Sequence, residues 1–237
     1  MCGICGTAGF ADQIQLQHMA AAIVHRGPDD GGTHVICKSD GTPWIGLANR
    51  RLSIIDLSVA GRQPMTNEDG TIWLAYNGEL YNFQELRPQL EGRGHIFRSK
   101  TDTEVLLHLY EEEGIDFLRK LNGMFGLALW DDHTQQLILA RDPAGIKPLY
   151  YADLGSGRLA FASEIKSLLA TNLIRASVNP EALHYYLNFL WVPGPSTMFS
   201  GIYKLMPGEY LLWKNGQFTT GQYTDYKPEP HEFRHAS

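Results

Sequence analysis

Cysteine is scarce in this chain, with Cys2, Cys5 and Cys37 the three examples among 237 residues. A small odd number argues against a disulfide framework and suits a reducing compartment. Positive charge is not concentrated either. The net charge is -6 and no Lys/Arg cluster stands out, so neither nucleic acid nor an anionic membrane is an expected partner. No apolar run approaches the length that spans a bilayer. The first residues lack the basic-then-apolar order of a secretory signal, and the cytoplasm is the expected location.

What remains is ordinary for a globular protein: 43% hydrophobic and 19% charged residues in a chain long enough for one substantial core. Residues 3–10 are small and apolar and predict a buried strand. Asp12 can cap a helix carrying Leu16, Met19, Ala20 and Ile23 at helical spacing, stopped by Gly27-Pro28. Residues 26–32 read as a long turn, followed by short strands over 33–37, 44–48 and 71–76. Asn82 precedes Glu85, and Thr101-Asp102-Thr103-Glu104 matches a capping box, so helices are expected after both. Strands over 123–131, 136–142, 148–152 and 158–163 come next, then helices at 164–170 and after Asn179-Pro180. Asn215-Gly216 closes a last hairpin. Without regular βαβ alternation, this order predicts an α+β fold of antiparallel sheets covered by helices.

Cys2 is the residue with chemical promise. Methionine aminopeptidases remove Met1 when the next side chain is small. The new terminus would carry a thiol and an α-amine titrating near roughly 8, and a nucleophile beside a terminal amine is a recognised catalytic pair. Alone, a cysteine at this position is more often incidental. Cys2 and Cys5 form a C-x-x-C pair, but it falls inside an expected strand rather than at a helix start. A zinc site would need a second ligand pair, which is absent. Cys5 and Cys37 read as small buried thiols. The histidines show no metal-ligand spacing and are expected at the surface or packed. Residues 141–150 hold Gly and Lys without P-loop spacing and read as a structural strand-loop.

A series of motifs then stands in order. It comprises Met1-Cys2-Gly3-Ile4, His25-Arg26-Gly27-Pro28-Asp29, Arg51-Leu52-Ser53-Ile54-Ile55-Asp56, Gln63-Pro64 and Tyr76-Asn77-Gly78-Glu79-Leu80-Tyr81-Asn82. Thr101-Asp102-Thr103-Glu104, Gly123-Met124-Phe125, the run from Arg141-Asp142-Pro143 to Pro148-Leu149-Tyr150, Ala162-Ser163-Glu164-Ile165-Lys166 and Pro207-Gly208 complete it. With these, residues 1–225 resemble the glutaminase domain of the asparagine synthetase family, class II glutamine amidotransferases of the N-terminal nucleophile hydrolase group. Residues 226–237 are expected as a linker-like tail.

The resemblance implies a four-layer αββα sandwich in which Cys2 attacks the glutamine carboxamide, forms a glutamyl thioester and expels ammonia. Asn77, through its side-chain amide, and Gly78, through its N–H, match the oxyanion donors. Arg51 is expected on the substrate α-carboxylate, and Glu79 and Asp102 on the α-ammonium. Leu52, Ile54 and Ile55 would line the site, mainly through backbone, and Arg26 would support the turn beside the nucleophile. Arg50, where some relatives carry Glu, is expected to add positive charge beside the pocket.

No metal or cofactor is expected for this domain. ATP and magnesium belong to a synthetase domain whose Ser-Gly-Gly-x-Asp-Ser segment is not in the sequence. The chain therefore reads as a piece of a longer enzyme or as a separate ammonia supplier. Its expected partners are glutamine and an ATP-dependent synthetase domain or subunit, with a homodimer left open. Two other readings stand beside this one: a regulatory or interaction module that binds glutamine without turnover, and a hydrolase of another small amide.

Overall fold

The computed structural model describes residues 2–53 and 58–224. Met1, Ile54, Ile55 and the expected tail lie outside them. Twelve strands occur among the described residues: β1 Gly3–Ala8, β2 Asp30–Cys37, β3 Pro43–Arg51, β4 Met65–Thr66, β5 Ile72–Leu80, β6 Gly123–Asp131, β7 Gln136–Arg141, β8 Tyr150–Gly155, β9 Arg158–Ala162, β10 Tyr203–Lys204, β11 Glu209–Lys214 and β12 Gln217–Gln222. The helices are α1 Gln13–Ala21, α2 Phe83–Glu91, α3 Asp102–Glu113, α4 Ile165–Leu169 and α5 Pro180–Phe189.

The strands form two antiparallel sheets, ordered β10-β8-β9-β1-β3-β2 and β12-β11-β7-β6-β5-β4. Residues from both sheets, among them Ile4, Leu47, Ala75, Trp130, Phe161 and Trp213, make one apolar layer between them. α1 and α4 cover the far face of the first sheet through Leu16, Met19 and Leu168, joined by Ile23 just beyond α1. α2 and α3 cover the far face of the second through Leu86, Leu90, Val105, Leu106 and Leu109. The αββα sandwich implied by the motifs is the fold the chain adopts.

Local chemistry explains most element ends. Asp12 Oδ1 accepts from the Gln15 N–H at 2.7 Å and starts α1. Asn179 does the same for α5, with Pro180 in its first turn. Asn215 and Gly216, both at positive φ, turn β11 into β12.

Several boundaries differ from expectation. The helix expected to run on to Gly27 ends at Ala21, and Val24–Arg26 form a separate 3-10 turn. Asp30, Gly31 and Gly32 belong to β2, paired with Arg51, Arg50 and Asn49 of β3, rather than to a turn. The strand expected to stop at Tyr76 continues to Leu80 because Asn77 and Gly78 pair with Gly126 and Phe125 of β6.

Neither predicted cap forms as a side-chain cap. Asn82 instead donates to the Lys120 carbonyl and accepts from the Asn122 N–H. Glu104 reaches back past Thr101 to the N–H groups of Arg98 and Ser99, both at 2.7 Å. Cys5 is buried as expected, but Cys37 is exposed, at the end of the edge strand β2. Among the described residues no helix is long and apolar enough to cross a membrane.

Candidate active site

β1 and β3 pair with Cys5 opposite Ala48, which brings the start of β1 beside the end of β3. The Leu52 N–H therefore points at Cys2 Sγ at 3.4 Å, and the thiol stands 3.7 Å from the Leu52 carbonyl oxygen. Cys2 is partly exposed. Cys5 is fully buried, and that burial pushes its thiol up to about 12, keeping it protonated and unreactive.

Arg26 holds the backbone of Cys2. Its Nε donates to the Cys2 carbonyl at 2.9 Å, while Nη1 donates to Glu164 Oε1 at 3.0 Å. Burial pushes the Glu164 carboxyl up, but hydrogen bonds from Arg26, His25 and Lys166 outweigh it and hold it below its ordinary value. Gly27 lets this turn lie on β3. A Cβ there would stand 2.3 Å from the Arg50 carbonyl carbon, so only glycine permits the contact.

One cavity of about 140 Å³ opens beside Cys2, and its lining includes Arg51, Leu52, Asn77, Gly78, Glu79 and Asp102. Seven predicted site residues thus share one pocket with convergent polar groups. Arg26 sits behind it, and Ile54 and Ile55 lie outside the described residues. β5 supplies four of the lining residues in a row, Tyr76 to Glu79. Asn77 is buried, and its Nδ2 donates to nothing among the described residues. Gly78 is held so close to β6 that a Cβ would sit 2.4 Å from the Met124 carbonyl oxygen.

At the other side, Asp102 opens α3 and accepts from the Leu80 N–H at 2.8 Å. Burial raises its carboxyl above the ordinary value, against hydrogen bonds to Leu80, Asp102 and Thr103 N–H groups, and the Glu79 charge adds to the rise. Burial first, then the charges of Asp102 and Glu79, also hold the Tyr76 phenol well above its ordinary value, so it stays neutral. Arg51 is buried and donates to the Ser58 carbonyl at 3.2 Å.

Arg50 corrects an expectation. Successive side chains leave a strand on opposite faces, and Arg50 points away from the pocket, over Gly31. Other lining residues were not predicted. Gln63 is buried beneath the pocket, accepting from the Tyr76 N–H and the Asn49 amide and donating to Thr103 Oγ1. Lys147, in the stretch read as purely structural, also lines the cavity. The Gln63-Pro64 motif and the 141–150 run were the signals in the sequence; the three-dimensional neighbours of Gln63 and Lys147 were not.

Residues 1–224 match the model of the glutamine amidotransferase domain family. Asparagine synthetase [glutamine-hydrolyzing] 1 of Bacillus subtilis is 42% identical over 96% of this chain and 36% of that protein. Amidase chry2 of Gibberella zeae is 40% identical over 86% of this chain and 29% of that protein. The chain spans about a third of the length of the curated relatives it matches. Glutamine phosphoribosylpyrophosphate amidotransferase from B. subtilis has the same fold, with a TM-score of 0.70 and 21% identity, covering 95% of this chain and 50% of that one. The chain belongs to the glutamine amidotransferase domain family.

Proposed function

We propose that the chain hydrolyses the side-chain amide of glutamine to glutamate and ammonia, with Cys2 as the nucleophile. The observation that carries this reading is the buried, undirected Asn77 amide in the same cavity as Cys2 Sγ. A donor held without a partner costs stability unless something arrives to accept from it. An amide oxygen turning into an oxyanion is such an acceptor.

Removal of Met1 frees the Cys2 α-amine, which takes the thiol proton as sulfur attacks the carboxamide carbon. The developing oxyanion is held by Asn77 Nδ2 and the Gly78 N–H. The amine returns its proton to the leaving nitrogen, the C–N bond breaks and ammonia departs. Water, deprotonated by the same amine, then cleaves the thioester and restores the thiol. Arg51 binds the substrate α-carboxylate, and Asp102 with Glu79 binds the α-ammonium, so both ends of an amino acid are recognised. Arg26 acts on the reaction only through the Cys2 backbone.

The ammonia serves an asparagine-synthetase-type amidation in an ATP-dependent domain or subunit, and a reducing cytoplasm keeps the thiol free. Purified protein tests the hydrolysis. Intact mass should show loss of Met1, glutamine should yield ammonia, and Cys2→Ala should abolish release. Normal turnover by Cys2→Ala, or with Met1 fully retained, overturns the scheme.

A further inference from the structure

The spacing of the histidines along the chain suggests no metal site, yet folding brings two of them together. His108 lies on α3, His95 follows α2, and Glu68 sits between β4 and β5. One donor atom from each of the three lies within 4.8 Å of the other two. The two imidazole centroids are 4.6 Å apart, their planes tilted by 39°.

His108 is the anchor of the cluster. Its side chain is 2% exposed. Nδ1 is engaged by Glu111 Oε2 at 2.8 Å, which leaves Nε2 facing the cluster. That nitrogen has no hydrogen-bond partner among the described residues. Glu68 Oε1 stands 3.9 Å away, beyond hydrogen-bond reach. His95 repeats the pattern. Its Nε2 is engaged by Glu112 Oε1 at 2.9 Å, and its Nδ1 stands 3.6 Å from Glu111 Oε2, beyond hydrogen-bond reach.

Both carboxylates behind the rings are themselves held. Asn67 Nδ2 donates to Glu111 Oε1 at 2.8 Å, and Arg93 Nη1 donates to Glu112 Oε2 at 2.8 Å. A carboxylate that grips one ring nitrogen, and so orients the other, is the arrangement that backs metal-ligating histidines. An ordinary buried histidine uses both nitrogens. Here one nitrogen of the buried ring is turned toward a second imidazole and a carboxylate.

We propose that Glu68, His95 and His108 bind one divalent transition-metal ion of the zinc class. Two imidazoles and a carboxylate suit such an ion, whereas magnesium and calcium prefer oxygen donors alone. Donors on a tetrahedral ion stand about 3.3 Å apart, so the three donors, within 4.8 Å of one another here, would close in by small shifts of the exposed Glu68 and the partly exposed His95. The ion would tie the loop before β5 and the segment after α2 to α3. That helix also carries Asp102 and Thr103 of the pocket, so the effect is a clamp on the scaffold.

The test uses the full chain carrying Cys2→Ser and Cys37→Ser, so that neither accessible thiol can capture metal. Cobalt(II) titration should show saturable binding of one ion per chain with visible d–d bands, displaced by zinc. Zinc should raise the melting temperature, by about 5 °C at a hundredfold excess over Kd, and magnesium should not. His95→Ala and Glu68→Gln, both at the rim, should abolish the bands while the folded far-UV spectrum persists. Glu111→Gln should weaken binding about 10- to 100-fold. No saturable binding at millimolar cobalt, or binding unchanged by His95→Ala and Glu68→Gln, overturns the site.

Discussion

Arg26 Nε donates to the backbone carbonyl of Cys2 at 2.9 Å, so this arginine positions the proposed nucleophile through its main chain and not through its thiol. Glu164, bonded to the same guanidinium, fixes the direction of that contact. Arg26→Ala should therefore lower kcat about 10- to 100-fold, since misplacing a reacting group by an ångström has effects of that order. KM for glutamine should change little. Glu164→Gln should give the same pattern more weakly, and steady-state ammonia release measures both.

Asn77→Ala separates catalysis from stability. Removing an oxyanion donor should cost about 100- to 1,000-fold in kcat. The melting temperature should hold or rise, because the amide nitrogen it removes is buried without a partner. Kinetics and a thermal melt on one preparation check both halves.

Asp102 should govern the pH dependence of glutamine binding. Its burial raises the carboxyl above 3.8, its ordinary value. A bound α-ammonium favours the ionised form and lowers it again. Glutamine binding should therefore release a proton in the window between the two values, and KM should climb as pH falls through the free-state value. The linkage for folding has the same origin: a carboxyl raised by burial opposes folding as pH rises through its unfolded value. Calorimetry in buffers of different ionisation enthalpy counts the proton. Asp102→Asn should remove the release and raise KM at least about 30-fold.

Arg50→Gln should leave KM for glutamine nearly unchanged, because that side chain is on the face of β3 away from the pocket. Arg51→Gln should raise KM strongly. The contrast between neighbouring arginines is measured by the two substrate-saturation curves.

Phe161→Ala tests the layer between the sheets. Phe161 is fully buried there beside Ile4 and Trp213. The loss should be about 3–5 kcal/mol in urea unfolding, from lost transfer energy and the cavity left behind.

Much of this molecule was legible before any coordinates. Asp12 and Asn179 start their helices because a side-chain oxygen and the next N–H groups are covalent neighbours, and Asn215-Gly216 turns for similarly local reasons. The ordered motifs also placed Cys2, Arg51, Leu52, Asn77, Gly78, Glu79 and Asp102 in one set, and one cavity holds them.

What local rules missed was decided at longer range. Asn82 had a cap available and bonded the distant Lys120 and Asn122 backbone instead, while Glu104 passed over Thr101 to the N–H groups of Arg98 and Ser99. The strand expected over 71–76 runs on through Asn77-Gly78 because β6 pairs with them. Which arginine of Arg50-Arg51 faces the pocket is a matter of strand register. Glu68, His95 and His108 became neighbours only because loop, helix and sheet met. The sequence by itself determined the reactive residue types and the chain-local starts and turns, since covalent order enforces those contacts. The tertiary structure decided facing and proximity, since these depend on which surfaces pack when the two sheets close on each other.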